Sequence, residues 1–138
     1  MQNGNLKFEF FIPMIPPTIT AQEKGIGRKG NGKAYVYTKP EVKEAADRIR
    51  CRVPMCSTPM QGSVRLITKW LYPTRDVRKN GSYKDTRPDT DNVEKMLKDI
   101  LTSCGYWMDD AQVASEIVEK LWTYGSPGIF IQIEELNG

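Results

Sequence analysis

The sequence predicts an α+β domain, a mixed β-sheet with two main helices packed on it. Two helical stripes and a set of short β-prone runs carry that prediction. Val93, Met96, Leu97, Ile100, Leu101 and Cys104 recur at i, i+3, i+4, i+7, i+8 and i+11, the apolar face of a helix that lies on a core. Val42, Ala45, Ala46, Ile49 and Val53 form a second stripe at i, i+3, i+4, i+7 and i+11. Around them stand runs of aromatic and β-branched residues, which suit a pleated, half-buried surface. The order is β, hairpin, α, β, α, β, β. With 138 residues and ordinary apolar (39%) and charged (27%) fractions, a single domain over 1–138 is expected.

Leu6–Ile12 (LKFEFFI) is a strand that ends at Pro13, and Pro16–Pro17 forces extended backbone into a turn. Residues 18–21 (TITA) and 34–38 (AYVYT) read as two strands around a glycine-rich basic loop, GIGRKGNGK. Gly25, Gly27 and Gly30 in that loop match G-x-G-x-x-G, but a β-prone stretch follows where the dinucleotide fingerprint needs a helix. No nucleotide cofactor is therefore expected. Pro40 suits the first turn of the first helix, which should end before Pro54. Residues 54–61 form a proline-punctuated connector. Gly62–Tyr72 (GSVRLITKWLY) alternates, with Val64, Leu66, Thr68 and Trp70 on one face. Asn80–Gly81 marks a turn in the arm that follows. The second helix should stop at Gly105, where a left-handed residue is preferred. Residues 111–123 fit either period, but their place before Tyr124–Gly128, read as a hairpin turn, and the strand Ile129–Ile133 favours a strand.

Composition narrows the chemistry. There is no histidine, which removes Ser-His-Asp and Cys-His nucleophilic schemes and histidine–metal ligation. Cys51, Cys56 and Cys104 are too few for a four-ligand structural zinc site and are expected as free thiols. No run approaches the length of a membrane span and no export signal is evident, so a cytoplasmic protein without membrane contact is expected.

The net charge of +3 is unevenly spread. Residues 24–39 carry Lys24, Arg28, Lys29, Lys33 and Lys39 and no acid. Residues 73–87 carry Arg75, Arg78, Lys79, Lys84 and Arg87 against Asp76 and Asp85. Two basic arms on an acidic body fit an extended polyanion. Arg28, Lys29, Lys33, Arg75, Arg78, Lys79, Lys84 and Arg87 are the candidate nucleic-acid contacts.

The second helix opens on Asp89 and Asp91, with Lys95 four residues after Asp91 on the face opposite the apolar stripe. Asp109 and Asp110 follow the helix. Convergence of these acids would suit Mg²⁺, a hard ion held by one or two carboxylates plus substrate phosphate. Asp91 and Glu94 also fit a capping box, and an acid in a first turn complements the helix dipole. Spacing leaves both readings open, and they are compatible. Tyr106 and Trp107 are read as packing groups that position the acidic pair. Asp110 is the better ligand of the two, because alternation along a strand would turn one carboxylate inward and the other out.

Arg87-Pro-Asp89-Thr-Asp91-Asn92-Val-Glu-Lys95, then Asp99, then Gly105-Tyr-Trp107-Met-Asp109-Asp110-Ala-Gln112-Val113 closely resembles the signature of RusA-type Holliday junction resolvases. That signature is an R-x-D-x-D-N-x-x-K helix start followed by G-x-W/L-x-D-D-x-Q-V. The element order outside it is also similar over most of the chain. The resemblance implies a small homodimeric Mg²⁺-dependent endonuclease, with Mn²⁺ as a substitute, that resolves four-way DNA junctions by paired nicks. It implies a bacterial or phage setting and roles in recombination and repair. It assigns metal-binding roles to Asp89, Asp91 and Asp110 and the catalytic lysine to Lys95. Pro88 stands where some members carry an arginine before the first aspartate, and Arg87 lies one residue earlier. Two rival expectations are a less structure-selective metal-dependent nuclease and a non-catalytic DNA-binding or phage packaging accessory protein.

Overall fold

Alternation along one strand sets the sheet. Val64, Leu66, Thr68, Trp70 and Tyr72 are all buried, and the residues between them are more exposed, as a strand with one covered face requires. The computed structural model describes residues 6–18 and 24–136. Its elements are β1 (Lys7–Pro13), β2 (Lys24–Arg28), β3 (Ala34–Thr38), α1 (Pro40–Arg50), β4 (Val64–Pro73), α2 (Thr90–Ser103), β5 (Val113–Thr123) and β6 (Gly128–Glu135). Short 3-10 turns stand at Val77–Lys79 and Asp110–Gln112.

The main sheet runs β1-β6-β4-β5, antiparallel except for the parallel pair β4 and β5. A parallel pair needs a long crossover, and the arm 74–89 with α2 supplies it. Every residue of the α2 stripe is buried, as are Val42, Ala45 and Ile49 of α1. These side chains form one core with Ile129, Ile131 and Ile133 of β6 and the inner face of β4. Each buried aliphatic side chain contributes roughly 1.5–3 kcal/mol relative to exposure. The opposite face of the sheet carries Phe11, Ile117, Ile67, Leu71, Phe130 and Leu121 among charges of both signs, and Phe11 and Ile117 are exposed there.

The α+β class, the mixed sheet and the two helices agree with expectation, and four details differ. The residues from Gly25 to Lys33 are not all loop, because β2 begins at Lys24 and pairs with β3. Gly27 lies opposite Tyr35, and a Cβ there would come within 2.5 Å of the Tyr35 ring, so the glycine makes room for a cross-strand aromatic. Residues 19–21 of the strand expected over 18–21 lie outside the described residues, and Thr18 itself is not in a strand. Residues 124–127 are not a hairpin turn between neighbours, because β4 lies between β5 and β6. The link crosses two strand spacings, about 9–10 Å, which four residues span easily. Finally, α1 ends at Arg50, although Val53 still packs into the core.

Candidate active site

The start of α2 is built by its backbone, not by its acids. Asp89 is the N-cap, in an extended conformation, and its carbonyl accepts from the N–H groups of Asn92 and Val93 at 3.2 Å each. Its side chain makes no capping hydrogen bond. Asp91 lies in the first turn, and Lys95 follows one turn later. All three are exposed, and none makes a side-chain hydrogen bond or salt bridge to the described residues. The capping-box alternative does not form. Glu94 turns inward instead, 2% exposed, where Thr68 Oγ1 donates to it at 2.9 Å and accepts from Trp70 Nε1 at 3.0 Å. The acids at the helix mouth are thus held in place without being used up.

The second acidic pair is set by Gln112. Its Oε1 accepts from the N–H groups of Met108 (2.9 Å) and Asp109 (3.1 Å), and its Nε2 donates to the carbonyls of Met60 (2.9 Å) and Gly62 (3.0 Å). All the amide's hydrogen-bonding capacity in this turn is used to fasten the chain to the connector before β4. Asp109 accepts from the Ala111 N–H at 2.9 Å, leaving Asp110 exposed as the first residue of the 3-10 turn. The separation of the two acids therefore comes from a capped turn, where strand alternation was expected. Tyr106 and Trp107 are buried, and their polar atoms donate to the Pro54 carbonyl (2.7 Å) and Thr102 Oγ1 (2.7 Å).

The expected convergence of all three acids is not preassembled. Among the described residues no group of three or more carboxylate or thiol side chains is close enough to hold a metal by itself. The Asp110 turn packs beside the body of α2, and its charge acts on Lys98. Lys98 is seven residues, about 10 Å of helix rise, from Asp91. The donor set still suits a hard divalent ion: two exposed carboxylates at one helix mouth, neither bonded to another side chain among the described residues, of the kind that holds Mg²⁺ with water and phosphate oxygens completing its shell.

Sequence reading missed a charged cluster on α2 and β5 that feels the Asp110 charge. Lys98 Nζ bonds Glu116 Oε1 at 2.7 Å, near Glu94 and Asp110. Burial alone would lower the Lys98 pKa, but Glu116, Glu94 and Asp110 together raise it. Glu94 was legible in principle, since it shares a helix face with Leu97 and Leu101 at i+3 and i+7. Burial raises its pKa to about 8, with Glu116 adding to the shift and the Thr68 bond and Lys98 opposing it. In the unfolded chain it titrates near 4.5, so over that interval the folded protein binds more protons. Stability from this residue is complete below the unfolded value and is lost as pH rises through about 8. Thermal unfolding is expected to show Tm falling from pH 5 to pH 8.5, and Glu94→Gln should flatten that slope. The stability gained at pH 8.5 should be on the order of a few kcal/mol, with about 5 kcal/mol the ceiling set by the full shift. An unchanged slope would refute the assignment.

The loop before Asp89 is organised by two lysines. Lys120 Nζ donates to the carbonyls of Thr86 and Pro88, both at 2.6 Å. Lys84 Nζ donates to Thr86 Oγ1 (2.7 Å), the Thr86 carbonyl (3.2 Å) and the Arg87 carbonyl. It also lies over the rings of Tyr72 and Trp122, 4.9 and 5.0 Å from their centroids. Burial, with the Lys120 charge, lowers the Lys84 pKa. Lys84 is 6% exposed, so it is not presented to a polyanion as expected. Among the other arm cations, Arg78 pairs with Asp76 at 3.1 Å, Lys79 stands 5.7 Å from the Trp122 ring centroid, and Arg75 and Arg87 are exposed. Arg28, Lys29 and Lys33 are exposed at the tip of the β2–β3 hairpin, where Arg28 also bonds the Gly32 carbonyl at 3.2 Å.

No described helix is long and apolar enough to cross a membrane. The family model for endodeoxyribonuclease RusA matches residues 15–134, which include both basic arms, both helices and both acidic pairs. A crossover junction endodeoxyribonuclease from Lactococcus phage r1t is 29% identical over 114 residues, covering 78% of this chain and 83% of the relative. A match over that length, with the motif residues on the elements just described, places the chain in the RusA family of endodeoxyribonucleases.

Proposed function

We propose that this endodeoxyribonuclease resolves Holliday junctions by paired symmetric nicks, each a Mg²⁺-assisted hydrolysis of one phosphodiester. The observation that carries the proposal is a pair of carboxylates at the mouth of α2, Asp89 and Asp91, with the Lys95 ammonium one turn after Asp91, none of the three bonded to another side chain among the described residues. Asp89 and Asp91 would hold the ion, with Asp110 the third carboxylate of the set. Mn²⁺ is the expected substitute. A bound divalent ion supplies a nucleophilic water at neutral pH and neutralises charge on the leaving oxygen. The chain's own part is to place phosphate between these acids and Lys95, whose compact charge favours the more negative transition state.

The hairpin cations Arg28, Lys29 and Lys33, with Arg75, Arg78, Lys79 and Arg87, are the proposed contacts to the duplex arms. Such contacts predict affinity that falls steeply with salt. A second copy is the proposed partner, because two symmetric cuts need two sites. The sheet face bearing Phe11, Phe130, Ile67 and Ile117 suits self-association, since its flanking Lys7, Lys69, Glu9 and Glu119 can pair across a two-fold axis. The proposed setting is the cytoplasm of a bacterium, acting on host or phage DNA in recombination and repair.

One experiment tests the whole. Synthetic four-way junction, flap and linear duplex are incubated with the protein, with and without Mg²⁺, and the same samples are sedimented. The expected result is symmetric nicking of the junction only, Mg²⁺-dependent, by a dimer. Equal cutting of all three substrates would favour the unselective nuclease. Salt-sensitive binding with no product would favour the accessory protein. A monomer, both alone and with DNA, would refute the dimer.

A further inference from the structure

We infer that Lys84 and Lys120 are positioning residues for Asp89, holding by their ammonium groups the three successive carbonyls that lead into it. This rests on the proposed reading of Asp89 as a metal-binding carboxylate.

The arm reaches this point along the free edge of β5. The Gly81 N–H donates to the Trp122 carbonyl, the Trp122 N–H to Ser82 and the Lys84 N–H to Lys120, at 2.8–2.9 Å. After Lys84 the backbone leaves that edge and makes no further ladder bond to β5 among the described residues. Lys84 and Lys120 take over there. The Thr86 carbonyl accepts from both ammonium groups, the Arg87 carbonyl from Lys84 and the Pro88 carbonyl from Lys120. Three carbonyls pointing into the fold fix the direction in which the next residue leaves it. That residue is Asp89, exposed and extended at the helix mouth.

The charges make this more than loop packing. Neither ammonium forms a salt bridge with a carboxylate among the described residues; the Asp85 charge acts on Lys84 only from farther off, so the direct contacts that hold two like charges together are carbonyl dipoles, the Thr86 hydroxyl and aromatic faces. Neutral donors would satisfy the same carbonyls without that repulsion. An ammonium offers three donors from one point, which lets a single side chain hold several carbonyls of an irregular loop. Groups that orient a metal-binding side chain from behind change metal affinity by about 10- to 100-fold when removed.

The test is direct Mn²⁺ binding to metal-free protein, read by electron paramagnetic resonance of free Mn²⁺. Wild type, Lys120→Met, Asp89→Asn and the double variant are compared, with far-UV circular dichroism to verify folding. Lys120→Met is expected to weaken Mn²⁺ binding about tenfold in the wild-type background. In the Asp89→Asn background it should change binding by less than about twofold, the coupling that positioning requires. A general structural effect would appear equally in both backgrounds. Equal losses in the two backgrounds, or no loss in either, overturn the inference. If Lys120→Met does not fold, Lys120→Leu, which likewise removes the donors and keeps an apolar stem, is judged by the same criteria. Asp89→Asn alone tests the underlying reading: if it binds Mn²⁺ as wild type does, the metal assignment of Asp89 fails independently of the lysines.

Discussion

Asp91→Asn is expected to reduce Mg²⁺-dependent cleavage of a four-way junction by about 10³-fold or more while leaving the fold and junction affinity intact. The substitution keeps the shape of the side chain and removes one charged oxygen donor. Asp91 makes no hydrogen bond or salt bridge to the described residues, so no internal contact is lost. The helix loses only the interaction of a first-turn acid with its dipole, about 0.3–1 kcal/mol. A structural role and a catalytic role therefore separate cleanly at this position. The measurements are the single-turnover cleavage rate and, in Ca²⁺, the dissociation constant for junction. Cleavage near the wild-type rate would remove Asp91 from the site.

Gly105→Ala should have the largest effect on stability of any single methyl added near the site. Gly105 has φ +91°, a conformation L side chains rarely adopt, and a Cβ there would stand 2.5 Å from the Cys56 carbonyl oxygen. That carbonyl is backbone, and the Cys56 N–H ties its residue to the Cys104 carbonyl at 2.9 Å, so relief requires the connector to shift. Left-handed strain costs about 1–2 kcal/mol, and the displaced connector adds to it, for a total of about 3 kcal/mol. For a domain of this size that corresponds to a fall in Tm of about 10 °C. Because Met60, Tyr106 and Gln112 tie the same connector to the Asp110 turn, cleavage should fall as well. A Tm within 2–3 °C of wild type would refute this account, since those few degrees correspond to less than about 1 kcal/mol.

The sequence made the α2 stripe, the Gly105 stop and the β4 alternation readable because each repeats a local period set by burial on one face. The acids at the helix mouth were readable by type and spacing. Their freedom from capping was not, because it depends on Glu94 finding Thr68 across 26 positions. Lys84 was misjudged for the same reason. Charge composition counts a lysine as an offer to solvent, whereas Tyr72, Trp122 and the carbonyls of residues 86 and 87 turn this one inward. The β5–β6 link was misread because strand order is a property of the whole sheet. Nothing in Tyr124–Gly128 records that β4 lies between its ends.

That strand order also bears on synthesis of the protein. Strand β6, which follows the other described strands in the chain, sits between β1 and β4 and holds both of them in register. A chain that stops before Gly128 lacks the middle of its sheet, although it already carries every acid of the proposed site. Products terminated before β6 should then be unfolded and harmless to the genome, and cutting power should arrive only when translation has passed that strand.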